Sequence, residues 1–182
     1  MRLFFTLIIP LALTACTPGG QSLWPSANAN AQLESQGQAT LQTGHRLMEA
    51  GEYQMAYDAY IQAAARLGLT PDMRNAIASA SLRLGRLNEA EQQLRRVLEL
   101  DDSSAEAWNN LGVVLMSKGE FAEARQVFRR AFVLSGGSND LIRENLRLAI
   151  ANMENPDYDT DQESTYKLVW RGTGDFLITS EP

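Results

Sequence analysis

The sequence predicts an all-α fold, a solenoid of three stacked helical hairpins closed by a C-terminal helix, with a flexible N-terminal tether and an irregular C-terminal tail. Two observations predict it. Small residues recur at a period of 34, at Gly51, Gly85 and Gly119 and again at Ala56, Ala90 and Ala124. Each period also carries two runs of apolar residues at helical spacing, one on each side of its glycine. Units of this length cannot bury their apolar faces alone, so they stack into an array.

Composition narrows the class of function. The chain has 182 residues, 45% hydrophobic and 21% charged, which suits a globular domain of ordinary size. Its formal charge of -6 disfavours a nucleic-acid partner, because phosphate binding needs a basic surface. One cysteine and one histidine exclude an internal disulfide and the usual metal centres. Without a catalytic motif, we expect no enzyme activity, cofactor, metal or small-molecule substrate.

Residues 1–15 have the features of a signal peptide. Met1 and Arg2 precede an apolar run over 3–13, which is too short to span a bilayer as a mature helix. The run ends in Leu13-Thr14-Ala15-Cys16, which resembles the bacterial lipobox. The resemblance implies cleavage before Cys16 and a lipidated cysteine with further acyl chains such as palmitate. Thr17 in place of aspartate implies sorting to the periplasmic face of the outer membrane, with the inner membrane as the alternative. An ordinary signal peptide followed by a free cysteine stays open.

Residues 16–36 are predicted to be a flexible tether. This segment is rich in Gly, Ser, Asn, Gln and Pro and offers little to bury. We expect it to hold the folded domain away from the membrane surface.

The three repeat units are predicted to span 37–70, 71–104 and 105–138. In the third, Trp108, Leu111 and Leu115 lie at helical spacing before the turn at Gly119, and a second helical pattern follows. The glycine is expected to end the first helix in a left-handed conformation. Gly112 is small, so the two helices of the hairpin can approach closely.

The third unit resembles the tetratricopeptide repeat (TPR). Its signature positions are Trp108, Leu111, Gly112, Leu115, Gly119, Ala124, Phe128 and Ala131. The first two units match it less fully, and the resemblance covers about 100 of the 182 residues. It implies a protein-binding solenoid in which the first helix of each hairpin lines a concave surface.

Residues 139–154 are predicted to form a cap helix that closes the stack. Asn139 or Asp140 can cap its start. Arg143 and Arg147 would occupy the positions of the tryptophan and glycine of the third unit, where they would block a further packed helix.

The TPR resemblance implies a partner-binding groove on the concave surface. Aligning the units places these residues there: Leu41, His45, Met48, Asn75, Ser79, Arg83, Asn109, Val113, Met116 and Glu144. Asn75 and Asn109 share one register, where an amide can hydrogen-bond the backbone of an extended peptide. The alternative is that these are ordinary solvated positions. Arg83 is the sole basic candidate near the two amides, so a carboxylate clamp is not expected.

Residues 155–182 are predicted to be an acidic linker and an apolar tail. Two strand-like runs, around Tyr166–Trp170 and Phe176–Ile178, flank a glycine-containing turn and could form a hairpin. Three interpretations stay open: a disordered tail, a segment folded back on its own domain, and a docking peptide for a partner.

These predictions together indicate a lipid-anchored adaptor that binds envelope proteins. The cap sequence, with Arg143, Asn145, Leu146, Leu148 and Ala149, resembles the TPR lipoprotein of tight-adherence (Tad/Flp) pilus assembly. That resemblance implies a role in pilus or secretion-system assembly, with a secretin among the partners. The alternative is a lipoprotein that binds and regulates cell-wall hydrolases or synthases.

Overall fold

A computed structural model describes residues 27–154, 166–170 and 176–180. These parts of the chain form seven helices followed by two strands: α1 (Ala27–Glu49), α2 (Tyr53–Leu67), α3 (Pro71–Arg83), α4 (Leu87–Leu100), α5 (Ala105–Ser117), α6 (Phe121–Leu134), α7 (Asp140–Glu154), β1 (Tyr166–Trp170) and β2 (Phe176–Ser180). The predicted signal peptide, Cys16 and the first part of the predicted tether lie outside the described residues.

The helices pair as the 34-residue period predicts. Helices α1 and α2, α3 and α4, and α5 and α6 form three hairpins, and each hairpin packs on the next. Ala56, Ala90 and Ala124, at one register of the repeat, are all completely buried where the helices pack. The prediction of an all-α helix-hairpin solenoid is therefore confirmed.

The turn inside each hairpin depends on its glycine. Gly51, Gly85 and Gly119 have φ values of 80°, 71° and 76°. At the third turn, Gly119 N–H donates to Met116 O (3.0 Å) and Glu120 N–H donates to Leu115 O (2.8 Å). This double hydrogen bond is the Schellman motif, which ends a helix at a left-handed residue and is best satisfied by glycine.

Aromatic rings pack directly against glycine in two of the hairpins. A Cβ atom on Gly112 would lie 2.5 Å from the Phe128 ring, and one on Gly44 would lie 2.5 Å from the Tyr60 ring. In the second unit the same two positions hold Ala78 and Leu94, both buried. In the second unit, alanine replaces the glycine of the first helix and leucine replaces the aromatic residue of the second helix. The larger residue at one position is thus matched by a smaller one at the other, which explains why this unit departs from the signature.

The first helix begins earlier than predicted. Residues 27–36, assigned from sequence to the flexible tether, belong to α1. The prolines and glycines that indicated a tether, such as Pro18 and Pro25, all precede Ala27, whereas the segment after it is rich in alanine and glutamine, which favour helix. Gly37 also lies against Leu67 of α2, so packing begins where a unit start was expected.

Helix α7 closes the stack on α6. Asn139 Oδ1 caps it by accepting from the N–H groups of Leu141 (3.0 Å) and Ile142 (3.3 Å). Arg143 and Arg147 face solvent and pair with Asp140 and Glu144 on the same helix.

The C-terminal tail folds back on the helical domain. Strands β1 and β2 pair antiparallel, with Leu168 opposite Ile178, and β2 contacts α5 and α7. The prediction of an irregular tail is wrong for these residues, which instead form the hairpin and the folded-back segment that the sequence left open. Within those residues, no helix combines the length and apolar character needed to cross a membrane.

Candidate binding groove

The concave surface has two halves with different contents. The first half, called here the open cleft, has a volume of about 330 Å³ and lies between α1, α3 and the start of α5. Five of the predicted groove residues line it: Leu41, His45, Met48, Asn75 and Ser79. The second half, called here the strand seat, is formed by α5 and α7 and holds β2.

The floor of the open cleft contains a histidine–tyrosine pair. His45 Nδ1 lies 3.0 Å from the hydroxyl oxygen of Tyr60, and the two rings meet edge to face. Partial burial lowers the pKa of His45, and the nearby Glu49 opposes that shift. Burial raises the pKa of the Tyr60 hydroxyl. A neutral imidazole can therefore accept a hydrogen bond from the Tyr60 hydroxyl at Nδ1.

One polar group in the open cleft is unsatisfied. Ser79 is 4% exposed, and its Oγ has no hydrogen-bond partner among the described residues. Three carboxylates also line the cleft, from Asp72, Asp101 and Glu106. A buried hydroxyl without a partner costs folding free energy, so Ser79 makes the open cleft less stable than a fully hydrogen-bonded site would be.

The strand seat binds the backbone of β2 through two side-chain amides, with Asn145 making the shorter contacts. Asn145 Nδ2 donates to Phe176 O at 2.9 Å, and Asn145 Oδ1 accepts from Ile178 N–H at 3.1 Å. Asn109 Nδ2 makes a longer contact with the same carbonyl, at 3.3 Å. Asn145 thus meets two backbone groups on one edge of the strand, as a neighbouring strand would.

A chain of amides links the strand seat to the open cleft. Asn145 Nδ2 donates to Asn109 Oδ1 (2.9 Å), and Asn110 Nδ2 donates to Asn75 Oδ1 (3.1 Å). Asn109 Nδ2 lies 3.4 Å from Asn110 Oδ1, and Asn75 Nδ2 donates to Glu106. Asn109, Asn110 and Asn145 are at most 2% exposed. Each amide satisfies its neighbour, which allows three polar side chains to be buried together.

The side chains of β2 complete the apolar core. Phe176 is fully buried and Ile178 is 3% exposed, while the alternate residues Leu177 and Thr179 are half-buried. Val113 and Met116, both predicted to line the groove, are buried in the same apolar cluster. The groove therefore receives an extended segment by pairing its backbone with amides and burying every second side chain.

Two predicted groove residues lie elsewhere. The Arg83 guanidinium lies 4.3 Å above the centre of the Tyr53 ring and donates to the Tyr53 hydroxyl, so this cation is engaged by α2. Glu144 is exposed and pairs with Arg147. The next residue, Asn145, is the α7 residue that contacts β2, because the loop from α6 to α7 is longer than those between earlier units and shifts the register.

Sequence reasoning missed three residues of the amide chain. Glu106, Asn110 and Asn145 were not assigned to the groove. A signal existed for Asn145, since an asparagine 36 residues after Asn109 matches a repeat lengthened by two. The tail residues that occupy the seat were considered only as one of three alternatives.

The chain is similar to one known protein family in sequence. A family model described as Tetratricopeptide repeat matches residues 41–104 and 75–139. No curated protein sequence matches the chain.

Solved structures share the fold at low identity. The first TPR domain of human RPAP3 is 20% identical, with a TM-score of 0.63 over 69% of this chain and 98% of that chain. The first TPR domain of Spaghetti (RPAP3), bound to the HSP90 peptide SRMEEVD, is 21% identical, with a TM-score of 0.61 over 66% and 95%. The Sgt2 TPR domain from Aspergillus fumigatus is 21% identical, with a TM-score of 0.58 over 85% and 97%.

Three observations indicate the same family. The helices form hairpins, the turns have left-handed glycines, and the family model matches more than half of the chain. The protein belongs to the tetratricopeptide-repeat family, a family of protein-interaction scaffolds.

Proposed function

We propose that the protein is a lipid-anchored adaptor that binds extended segments of other envelope proteins on its concave surface. The observation that carries the proposal is the seating of β2, because it gives the kind of ligand this groove accommodates. Asn145 and Asn109 meet its backbone, and alternate side chains are buried. Backbone pairing combined with pockets for alternate side chains is a general mode of peptide recognition.

The anchor belongs to the same proposal. The lipobox-like sequence ending at Cys16 supports lipidation there, and Thr17 supports the periplasmic face of the outer membrane. Two or three acyl chains anchor a protein stably, at roughly 0.8 kcal/mol per buried CH₂ group. Confinement to one surface raises the effective concentration of any partner on that surface.

Pilus or secretion-system assembly is the proposed setting, with a secretin as one partner. The similarity of the cap sequence to the Tad/Flp lipoprotein supports it. Regulation of cell-wall enzymes is the competing setting, and the experiment below separates the two.

The open cleft supports a neutral or basic partner segment. RPAP3 domains were solved with a peptide ending in Glu-Glu-Val-Asp. The cleft of this chain has carboxylates from Asp72, Asp101 and Glu106 among its lining residues, and Arg83 is held by Tyr53. An acidic segment would meet like charge there, so a labelled SRMEEVD peptide should bind no better than its scrambled form.

The test is crosslinked capture from native envelopes by the full-length lipidated protein, read by mass spectrometry. Leu41→Asp places a charge in the open cleft and should reduce capture of specific partners. Leu33→Asp, an exposed position on the same helix, is the matched control and should leave capture unchanged. Recovery of a secretin or pilus subunits supports the proposed setting, and recovery of cell-wall enzymes alone supports its competitor. Equal recovery by wild type and Leu41→Asp would contradict binding at the cleft.

The anchor has its own test. A Cys16→Ser variant should lose incorporation of a labelled fatty acid and leave the membrane fraction, while capture of purified partners in solution should persist. Undiminished labelling of Cys16→Ser would contradict lipidation at this residue.

A further inference from the structure

The polar contacts of the strand seat with β2 are all made to backbone atoms of β2. They therefore do not depend on which side chains the bound strand carries. Asn145 binds Phe176 O and Ile178 N–H, two groups that every extended segment without proline offers at the same spacing. The side chain between them, Leu177, is half-buried and takes no part in these hydrogen bonds. A partner's segment can therefore make the same three hydrogen bonds to Asn145 and Asn109 that β2 makes.

The burial of side chains in the strand seat defines the pattern of apolar residues that a bound segment requires. Phe176 and Ile178 point into the apolar cluster, and they are separated by one residue. Because side chains alternate along a strand, the seat selects an apolar residue, any residue, and a second apolar residue. Aromatic and branched aliphatic side chains fit the two positions, as the resident strand demonstrates.

The resident strand depends on the strand seat for its stability. It belongs to a two-stranded hairpin, an arrangement that is marginal in water without support from another surface. Twenty-one residues, 155–175, lie between Glu154 at the end of α7 and Phe176 at the start of β2. The strand is thus a ligand in the same chain as its own site, which raises its effective concentration there.

We propose that β2 is a built-in competitor, and that the partner's segment is an extended apolar–any–apolar strand that takes its place in the strand seat. This inference rests on the proposed function and specifies its site and its control. A tethered competitor lowers the apparent affinity of the groove by the fraction of molecules in which the seat is free. Partners with a better-fitting strand, or partners crowded on the same membrane, displace β2, whereas weak ligands are rejected.

The test uses the full chain and a fluorescent peptide with the sequence of residues 174–182, GDFLITSEP. In wild type the tethered strand occupies the seat, so the peptide binds weakly. Phe176→Asp in the chain removes the resident strand from the apolar cluster, and the peptide should then bind at least tenfold more tightly. Leu177→Asp changes the neighbouring half-buried residue and is the matched control, with a change below threefold.

Two further variants keep the result interpretable. Phe176→Ser serves in place of Phe176→Asp if the charged variant fails to fold, as judged by its circular dichroism. Asn145→Leu added to either variant should reverse the gain, because the peptide backbone then loses both of its Asn145 contacts. A peptide in which the phenylalanine and isoleucine are replaced by serine should not bind.

The outcomes separate this inference from the proposed function. Equal affinity of wild type and Phe176→Asp for the peptide would overturn the competitor role, as would failure of the peptide to bind either protein. Envelope partners captured equally by wild type and Phe176→Asp would leave the adaptor function intact and place its site in the open cleft. If neither wild type nor any variant captures specific envelope partners, while the peptide binds as expected, the proposed function alone is contradicted.

Discussion

The open cleft and the strand seat are two halves of one concave surface, and they solve the problem of buried polar groups differently. In the strand seat, Asn109 and Asn145 are fully buried and are satisfied by each other and by the backbone of β2. In the open cleft, Ser79 is almost as deeply buried, yet its hydroxyl has no partner in the described chain. The strand seat is occupied by β2 of the protein's own tail, whereas the open cleft has a volume of about 330 Å³.

Equivalent positions in successive repeats of this fold therefore take different hydrogen-bond partners. Asn75 and Asn109 hold the same register in successive units, but Asn75 pairs with Glu106 whereas Asn109 meets the tail. The difference arises at α7, where Asn145 supplies the second amide that an extended backbone requires. The stack itself is common to both halves, so their contrasting behaviour can be tested one residue at a time.

Removing the Asn145 amide should have the largest effect. Asn145→Leu leaves Phe176 O, Ile178 N–H and Asn109 Oδ1 without this partner, and buried unpaired groups cost about 1–3 kcal/mol each. We expect the free energy of unfolding to fall by about 3 kcal/mol in denaturant titration. Glu144→Gln on the exposed side of the same helix should change it by less than about 0.5 kcal/mol. Similar effects of the two substitutions would remove the distinction between the seat and an ordinary surface.

A methyl group added at Gly112, between α5 and α6, should have the next largest effect. Gly112→Ala drives Cβ against the Phe128 ring, and overpacking of this kind typically costs about 1–3 kcal/mol. Adding Phe128→Leu reproduces the Ala78 and Leu94 pair of the second unit and should recover part of the melting temperature. If the double variant melts no higher than Gly112→Ala alone, the account of the second unit's departure from the signature is wrong.

The open cleft should respond with the opposite sign. Ser79→Ala removes a buried hydroxyl without a partner, so stability should rise, by up to about 1 kcal/mol. The same change at Ser104 removes the cap of α5, where Ser104 Oγ accepts from Ala107 N–H, and should lower stability by about 1 kcal/mol. Chemical denaturation of both variants checks the pair, and a destabilised Ser79→Ala would mean that the hydroxyl is satisfied after all.

Acid should slightly lower the stability of the folded protein through His45 in the open cleft. The pKa of His45 is lowered in the folded protein, so the unfolded chain binds the proton first as pH falls from about 6.5. Stability from this group is present above that pH and is lost below it. The effect is small because the ring is partly exposed, and Glu49 opposes the shift. Melting temperatures from pH 8 to 5 should fall more for wild type than for His45→Gln, and parallel curves would refute the assignment.

Much of the fold could be predicted from sequence, because it depends on local and repeated signals. The period of 34 and the turn glycines located the hairpins, and the alanine registers located their contacts. The first helix was placed too late, because the tether was inferred from average composition and Ala27 marks a change within it.

The groove was predicted less completely, because its decisive contacts join distant parts of the chain. The register of Asn75 and Asn109 indicated amides facing an extended backbone, and the structure has Asn109 in that role with β2. That the backbone belongs to residue 176, 67 positions further along the chain, depends on tertiary packing and leaves no periodic signal. Glu144 was chosen over Asn145 because the final loop breaks the period on which the alignment relied.

The most direct test of the account is amide hydrogen exchange at Ile178 in the full-length wild-type protein. The N–H of Ile178 bonds to Asn145, whereas the alternating pattern of antiparallel pairing directs the N–H groups of Leu177 and Thr179 toward β1. We expect Ile178 to exchange at least a hundredfold more slowly than an unprotected amide, and Asn145→Leu to abolish this protection. Exchange of Ile178 at the unprotected rate in wild type would contradict occupation of the groove by the protein's own strand.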